Sequence, residues 1–117
     1  MTTEKTIFKR IVDKEIPADV VYEDDLCMAF RDVSPQAPVH VLVIPKTTEL
    51  CSLNDVNENN AELIGHIFCV IRKLAQELGV AEDGYRVVSN CGANACQTVP
   101  HLHFHLIGGR GFAWPPG

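Results

Sequence analysis

The most distinctive part of the chain is the stretch Val99-Pro100-His101-Leu102-His103-Phe104-His105-Leu106-Ile107, which holds three of the protein's five histidines. From His101 to His105, histidine alternates with apolar residues. Since successive side chains of a strand point to opposite faces, the alternation predicts a strand over 99–107 with all three imidazoles on one face. Gly108 and Gly109 predict where this strand ends.

Upstream of this strand, the sequence predicts four more strands and two helices. Apolar β-prone runs predict strands at 20–23, 26–32, 40–44 and 85–89, with Asp24-Asp25 as the turn of a hairpin. Apolar residues at three- and four-residue steps predict a long helix from Ala61 to Leu78, and Thr6 is a candidate N-cap of a short helix. A parallel sheet needs a helical crossover connection between successive strands, and the sequence predicts too few helices to supply them. The predicted class is therefore α+β, a five-stranded antiparallel sheet with its helices on one face, in a single domain over 1–117.

Composition and charge narrow the function classes. A chain of 117 residues suits one core, and a net charge of −5 argues against a nucleic acid polymer as a partner. The five cysteines form no C-x-x-C pair, which favours free thiols in a reducing compartment. No leader pattern and no apolar run of roughly 20 residues is found, so we expect no membrane partner and a cytoplasmic location, with presence in the nucleus left open.

Two chemistries compete for the clustered histidines. A neutral imidazole attacks phosphorus as a nucleophile, and its neighbours stabilise charge or move protons. Alternatively, the rings bind zinc, which would need further ligands and supporting carboxylates. Near the cluster along the chain we find Cys91 and Cys96 and no acidic residue. The isolated His40 and His66 are more typical of structural roles than of a site.

Several segments resemble those of a known family. The stretch 97–107 resembles the His-φ-His-φ-His-φ-φ signature of the histidine-triad family, and 108–110 with 114–117 looks like the end of its Hint branch. Other matching landmarks, in the same order, are Ile7-Phe8, Glu15-Ile16-Pro17, Ala29-Phe30-Arg31-Asp32, Ser34-Pro35-Gln36-Ala37-Pro38 and Val43-Ile44-Pro45-Lys46. The resemblance covers nearly the whole chain.

This resemblance implies a two-fold homodimer that hydrolyses purine nucleoside phosphoramidates or acyl-adenylates without metal or other cofactor. By matching position, His103 would be the nucleophile, His101 would buttress it and His105 would contact phosphate. Thr98 and Asn90 would help to hold phosphate oxygens and the leaving group, and Asp32 would accept from the ribose hydroxyls. The base would lie between Ile7, Phe8, Ile11 and Phe30.

Six of these residues also have a simpler interpretation. Ile7, Phe8 and Ile11 have the spacing of core residues on a helix. Asp32 is suited to cap the turn at 33–35, while Thr98 and Asn90 are ordinary in a strand and a turn.

Two positions depart from the family pattern, and both bear on phosphate binding. Thr48 stands where this branch usually has a histidine, which removes a candidate proton donor. Cys96 stands where the phosphate-side loop usually has a glycine, which adds a side chain where the backbone would otherwise approach a phosphate oxygen closely. We therefore keep two alternatives to the hydrolase, a weakly catalytic or non-catalytic nucleotide-binding scaffold and a metal-binding regulator.

Overall fold

The computed structural model describes residues 4–117, which form two α-helices, five strands and two short 3₁₀ helices. The elements are α1 (Ile7–Val12), β1 (Val20–Glu23), β2 (Cys27–Arg31), β3 (Val39–Pro45), the 3₁₀ helix Leu53–Asp55, α2 (Ala61–Glu77), β4 (Tyr85–Val88), the 3₁₀ helix Ala93–Ala95 and β5 (Phe104–Gly108). The Thr6 hydroxyl accepts a hydrogen bond from Lys9 N–H at 3.1 Å, which confirms the predicted N-cap of α1. Within residues 4–117, neither helix is long and apolar enough to cross a bilayer.

The strands form one antiparallel sheet in the order β1-β2-β3-β5-β4, which confirms the predicted fold class. In the central pair, Leu42 of β3 lies opposite His105 of β5, and Val43 lies opposite Phe104. In the described part of the chain, β1 and β4 are the edge strands. This order brings β3 beside the histidine strand, although about 60 residues separate them in sequence.

The helices lie on opposite faces of the sheet, so the prediction that they share one face was wrong. Alternate residues of β2 and β3 belong to two apolar clusters. The α2-side core contains Val41, Val43, Ile67 and Leu74 among others. The α1-side core consists of Phe8, Ile11, Met28, Phe30, Leu42 and Ile44. Because both faces of the central strands are apolar, each face needs a cover, and the short α1 supplies the second one.

The last strand is shorter than predicted, since β5 begins at Phe104 rather than at Val99. Pro100 has no N–H to give to a ladder, and Leu102 N–H donates to the carbonyl of Leu50 in a loop. His103 lies just before β5, with its carbonyl accepting from the Ser89 hydroxyl at 2.8 Å. Leu102 and Phe104 nevertheless pack in the α2-side core, so the alternation of faces persists through this extended segment.

Candidate active site

The three clustered histidines lie on the α1 side of the sheet. His101 and His103 are buried, at 1% and 6% exposure, and His105 is half-buried. The His103 and His105 rings are 5.3 Å apart, and the edge of Phe8 packs against His103 at 4.9 Å. The structure therefore brings two imidazoles into contact beside the apolar surface of α1.

His103 has a defined tautomer. Its Nδ1 lies 2.7 Å from the carbonyl oxygen of His101. Because a carbonyl only accepts hydrogen bonds, Nδ1 carries the proton and donates it. The lone pair is therefore on Nε2, the nitrogen that a nucleophilic imidazole must present.

His101 is held by backbone on one side and by α1 on the other. Its Nε2–H donates to the carbonyl of Pro45 at 2.8 Å, while Nδ1 lies 3.5 Å from the Thr6 hydroxyl. Burial lowers the pKa of His101, which keeps the ring uncharged at neutral pH. An uncharged, hydrogen-bonded ring beside His103 is suited to positioning rather than to proton transfer.

His105 is linked through His40 to a backbone amide. Gln36 N–H donates to Nδ1 of His40 at 3.0 Å, so His40 carries its proton on Nε2. That Nε2 lies 2.9 Å from Nδ1 of His105, which consequently accepts. Burial, with His103 and His40 close by, lowers the pKa of His105 to about 4. His105 is thus a neutral ring whose Nε2–H is available as a donor.

An acidic residue does approach the histidines, contrary to the expectation from sequence proximity. Oδ2 of Asp32 lies 3.4 Å from Nε2 of His40, and its Oδ1 accepts from Ser34 N–H at 2.8 Å. The turn-capping interpretation of Asp32 is therefore correct, and the carboxylate also faces the histidine network. Asp32, His40 and His105 each offer a ligand atom within 4.8 Å of the others, so these three residues could hold a metal ion.

The apolar residues expected at the base differ greatly in free surface. Phe8, Ile11 and Phe30 are 8%, 8% and 3% exposed, because they form the α1-side core. Ile7 is 53% exposed. The core interpretation is thus correct for Phe8 and Ile11 and wrong for Ile7, while Phe30, for which it was not offered, is buried as well. Ile7 has the largest apolar surface left for a ligand.

The remaining candidates lie in loops. Thr98 is exposed and Asn90 is half-buried, on either side of the turn that Gly92 and Gln97 close through a backbone hydrogen bond. Cys96 is exposed and has φ 61°, in the left-handed region that favours glycine. Thr48 lines a cavity with His101, Thr6 and Lys9 rather than with His105.

Sequence reasoning missed His40, which it assigned to a structural role. His40 and His105 point to the same face because His40 is two residues from Leu42, the cross-strand partner of His105, and residues two apart on a strand share a face. The alternation of side chains along the predicted strand 40–44 already places His40 on one face with Leu42 and Ile44. That β3 pairs with β5, which brings His40 beside His105, could not be predicted, because no local sequence pattern indicates which strands become neighbours.

The chain resembles known proteins over nearly its whole length. A family model described as the HIT domain matches residues 13–112. The purine nucleoside phosphoramidase of Escherichia coli is 48% identical over 107 residues, covering 92% of this chain and 89% of that protein. The adenylylsulfatase HINT1 of Arabidopsis thaliana is 48% identical over 113 residues, covering 96% of this chain and 76% of that protein. The crystal structure of a HIT family hydrolase from Legionella pneumophila matches with a TM-score of 0.93 and 48% identity, covering 97% of this chain and 100% of that one.

Proposed function

The chain belongs to the HIT (histidine-triad) family, and from that premise we propose that it hydrolyses purine nucleoside phosphoramidates or acyl-adenylates through a nucleotidyl-histidine intermediate. The observation that carries the proposal is the donation from His103 Nδ1 to a backbone carbonyl, which leaves the Nε2 lone pair free. Relatives at 48% identity named for phosphoramidase and adenylylsulfatase activity support the choice of substrates.

In the first step, the Nε2 lone pair of His103 forms a bond to the α-phosphorus. The bond from phosphorus to the leaving amine breaks, and the amine takes the bonding electrons and a proton from water. An acyl-adenylate instead releases a carboxylate, which needs no proton. The Nε2–H of neutral His105 donates to a phosphoryl oxygen, where charge accumulates in the transition state.

In the second step, water attacks the phosphorus of the adduct. The bond to His103 breaks, its electron pair returns to Nε2, and the water loses one proton to solution. The nucleoside monophosphate then leaves. Asp32 accepts from the ribose hydroxyls, Asn90 and Thr98 donate to phosphate oxygens, and Cys96 borders the phosphate. The base packs on the exposed surface of Ile7 and the edges of Phe8, Ile11 and Phe30.

We further propose that the chain forms a two-fold dimer through α2 and the edge strand β4. Phe68 and Leu53 are 45% and 40% exposed and border an apolar groove of about 530 Å³ with Val87 and Phe104. An unpaired edge beside an apolar groove is stabilised when the same surface of a second copy covers it. Sedimentation at micromolar concentration should show a dimer that Phe68→Lys converts to a monomer. A monomeric wild-type chain would contradict the dimer.

The catalytic proposal is tested with His103→Ala, assayed on adenosine and guanosine phosphoramidates and an acyl-adenylate. Turnover should be lost while nucleotide affinity stays within a few-fold, because the variant lacks the nucleophile and keeps the pocket. In the wild-type chain, rapid acid quench should trap a nucleotidyl adduct on His103. His66→Gln, which removes an imidazole on α2, is the matched control and should keep full activity.

Three outcomes bear on the alternatives. Wild-type activity in His103→Ala would overturn the mechanism. An adduct on His101 or His105 would move the nucleophile within the same enzyme class. Tight nucleotide binding without turnover of any substrate would instead support the non-catalytic scaffold, for which Cys96 in a glycine-type conformation is the motivating feature.

A further inference from the structure

A second cluster of titratable side chains lies away from the proposed active site, where the β1–β2 turn meets α2. Nε2 of His66 lies 2.6 Å from Oδ2 of Asp24, and the Tyr22 hydroxyl donates to the same oxygen at 2.8 Å. Oδ1 of Asp24 accepts from the backbone N–H groups of Leu26 and Cys27. The Cys27 thiol is free, fully buried and part of the α2-side core, on the face of the sheet opposite the clustered histidines.

We propose that Asp24, Cys27 and His66 form a zinc site, with a water molecule as the fourth ligand. One carboxylate oxygen, one sulfur and one imidazole nitrogen lie within 4.8 Å of one another. Zn²⁺ takes this donor set in tetrahedral geometry, with bonds of about 2.0–2.3 Å that place neighbouring ligand atoms roughly 3.3–3.7 Å apart. The carboxylate and imidazole, now 2.6 Å apart, therefore need to separate by about 0.7–1.1 Å to admit the ion.

The charges of the cluster suit a divalent cation. Burial acts to raise the pKa of Asp24, but hydrogen bonds from Cys27 N–H, His66 and Tyr22 outweigh it and hold the pKa below its ordinary value. Burial raises the pKa of the Cys27 thiol to about 12, so this group is protonated without metal. Zinc binding would release the thiol proton to solution and move the His66 proton from Nε2 to Nδ1. One carboxylate and one thiolate then neutralise the ion.

Access and donor type favour zinc over the hard cations. The side chains of His66 and Asp24 are 35% and 25% exposed, which gives an ion a route from solvent to the buried sulfur. Thiolate and imidazole ligands suit zinc, whereas magnesium and calcium take oxygen. The ion would join the hairpin turn to α2, so it acts as a clamp on the fold and takes no part in the proposed hydrolysis.

Cobalt titration of the reduced, metal-free full chain tests the site, because Co²⁺ in a thiolate site gives a charge-transfer band. We expect a band that saturates at one equivalent and is displaced by Zn²⁺. Cys27→Ala should abolish it, and His66→Gln should weaken Zn²⁺ binding at least about tenfold, since even partners outside the ligand set cost that much. The matched control Cys69→Ser removes an exposed thiol of α2 and should leave the band unchanged.

A second control separates this site from the histidine network. His40→Gln removes a member of the Asp32–His40–His105 group, which contains no sulfur, and should leave the band intact. Absence of a thiolate band in the wild-type chain at micromolar protein would overturn the proposal and leave Asp24 and His66 as a hydrogen-bonded clasp. A band undiminished in either Cys27→Ala or His66→Gln would also overturn it. His66 is half-exposed, so His66→Gln still tests the site if Cys27→Ala fails to fold.

Discussion

Replacing His40 tests how the proposed phosphate donor is positioned. His40 lies 2.9 Å from Nδ1 of His105 and receives the Gln36 N–H on its own Nδ1. His40→Ala removes both hydrogen bonds. His40→Gln keeps an amide donor at the position of the imidazole Nε2, so it preserves the bond to His105 without an ionisable ring. The two variants therefore separate loss of the hydrogen bond from loss of the imidazole ring.

The expected loss follows from the protonation state of His105. At pH 7, with a pKa of about 4, about one His105 ring in a thousand is protonated. The ring thus donates from Nε2 only as the neutral tautomer whose Nδ1 accepts from His40. Losing one preorganised donor at a developing oxyanion costs about 100- to 1,000-fold in kcat. We expect a loss in this range for His40→Ala and recovery to within about tenfold of wild type for His40→Gln.

Steady-state hydrolysis of an adenosine phosphoramidate measures both variants, with thermal unfolding as the check on folding. The change should appear in kcat with little change in KM, because the bond strengthens where charge develops. A His40→Ala enzyme within threefold of wild type would refute the positioning role. A stably folded His40→Gln enzyme that is no faster than His40→Ala would also refute the positioning role, because restoring the hydrogen-bond donor would then fail to restore activity.

Three further predictions concern stability. Because burial lowers the pKa of His105 from 6.5 to about 4, the unfolded chain binds the proton more tightly than the folded chain does. The free energy of unfolding measured in urea should therefore decrease by ~1–2 kcal/mol as the pH falls from 6.5 to 4. The decrease should be smaller in His105→Asn. Gly108→Ala would place a Cβ 2.8 Å from Cβ and 2.9 Å from Cγ1 of Val80, so calorimetry should show a loss of about 1–3 kcal/mol in the free energy of unfolding. Val80→Ala removes Cγ1 but keeps Cβ, so in the same chain it should relieve part of the overlap, and the two changes together should cost less than the sum of the single changes. Cys96→Gly relieves a left-handed non-glycine backbone and should raise the free energy of unfolding by about 1 kcal/mol in urea; an unchanged midpoint would show that the loop bears no strain.

Local periodicity was sufficient for most of the fold. The predicted strand at 20–23 coincides with β1, and the predicted long helix differs from α2 by one residue at its C-terminal end. Thr6 caps α1 as predicted, because an N-cap depends on residues within one turn. These features repeat every 2 or 3.6 residues, so a short window of sequence contains them.

The errors came from contacts between distant segments. The sequence could not show that Leu102 N–H would pair with Leu50, which delays the start of β5, or that both faces of β2 and β3 would need a cover. The sequence also contained no local indication that Asp32 would lie beside His40 in the histidine network. In each case the partner lies on another element, and a local pattern carries no information about which elements become neighbours.

The sequence by itself determined the antiparallel α+β architecture and the cluster of three imidazoles, because alternation along an extended chain needs no partner. The tertiary structure decided what each imidazole can do. Hydrogen bonds fix which nitrogen of each ring carries the proton. The partner is the carbonyl of Pro45 for His101, the carbonyl of His101 for His103, and the His40 ring for His105. His40 is 65 residues from His105 along the chain. Tautomer and burial are properties of the surroundings of a ring, and folding alone assembles those surroundings.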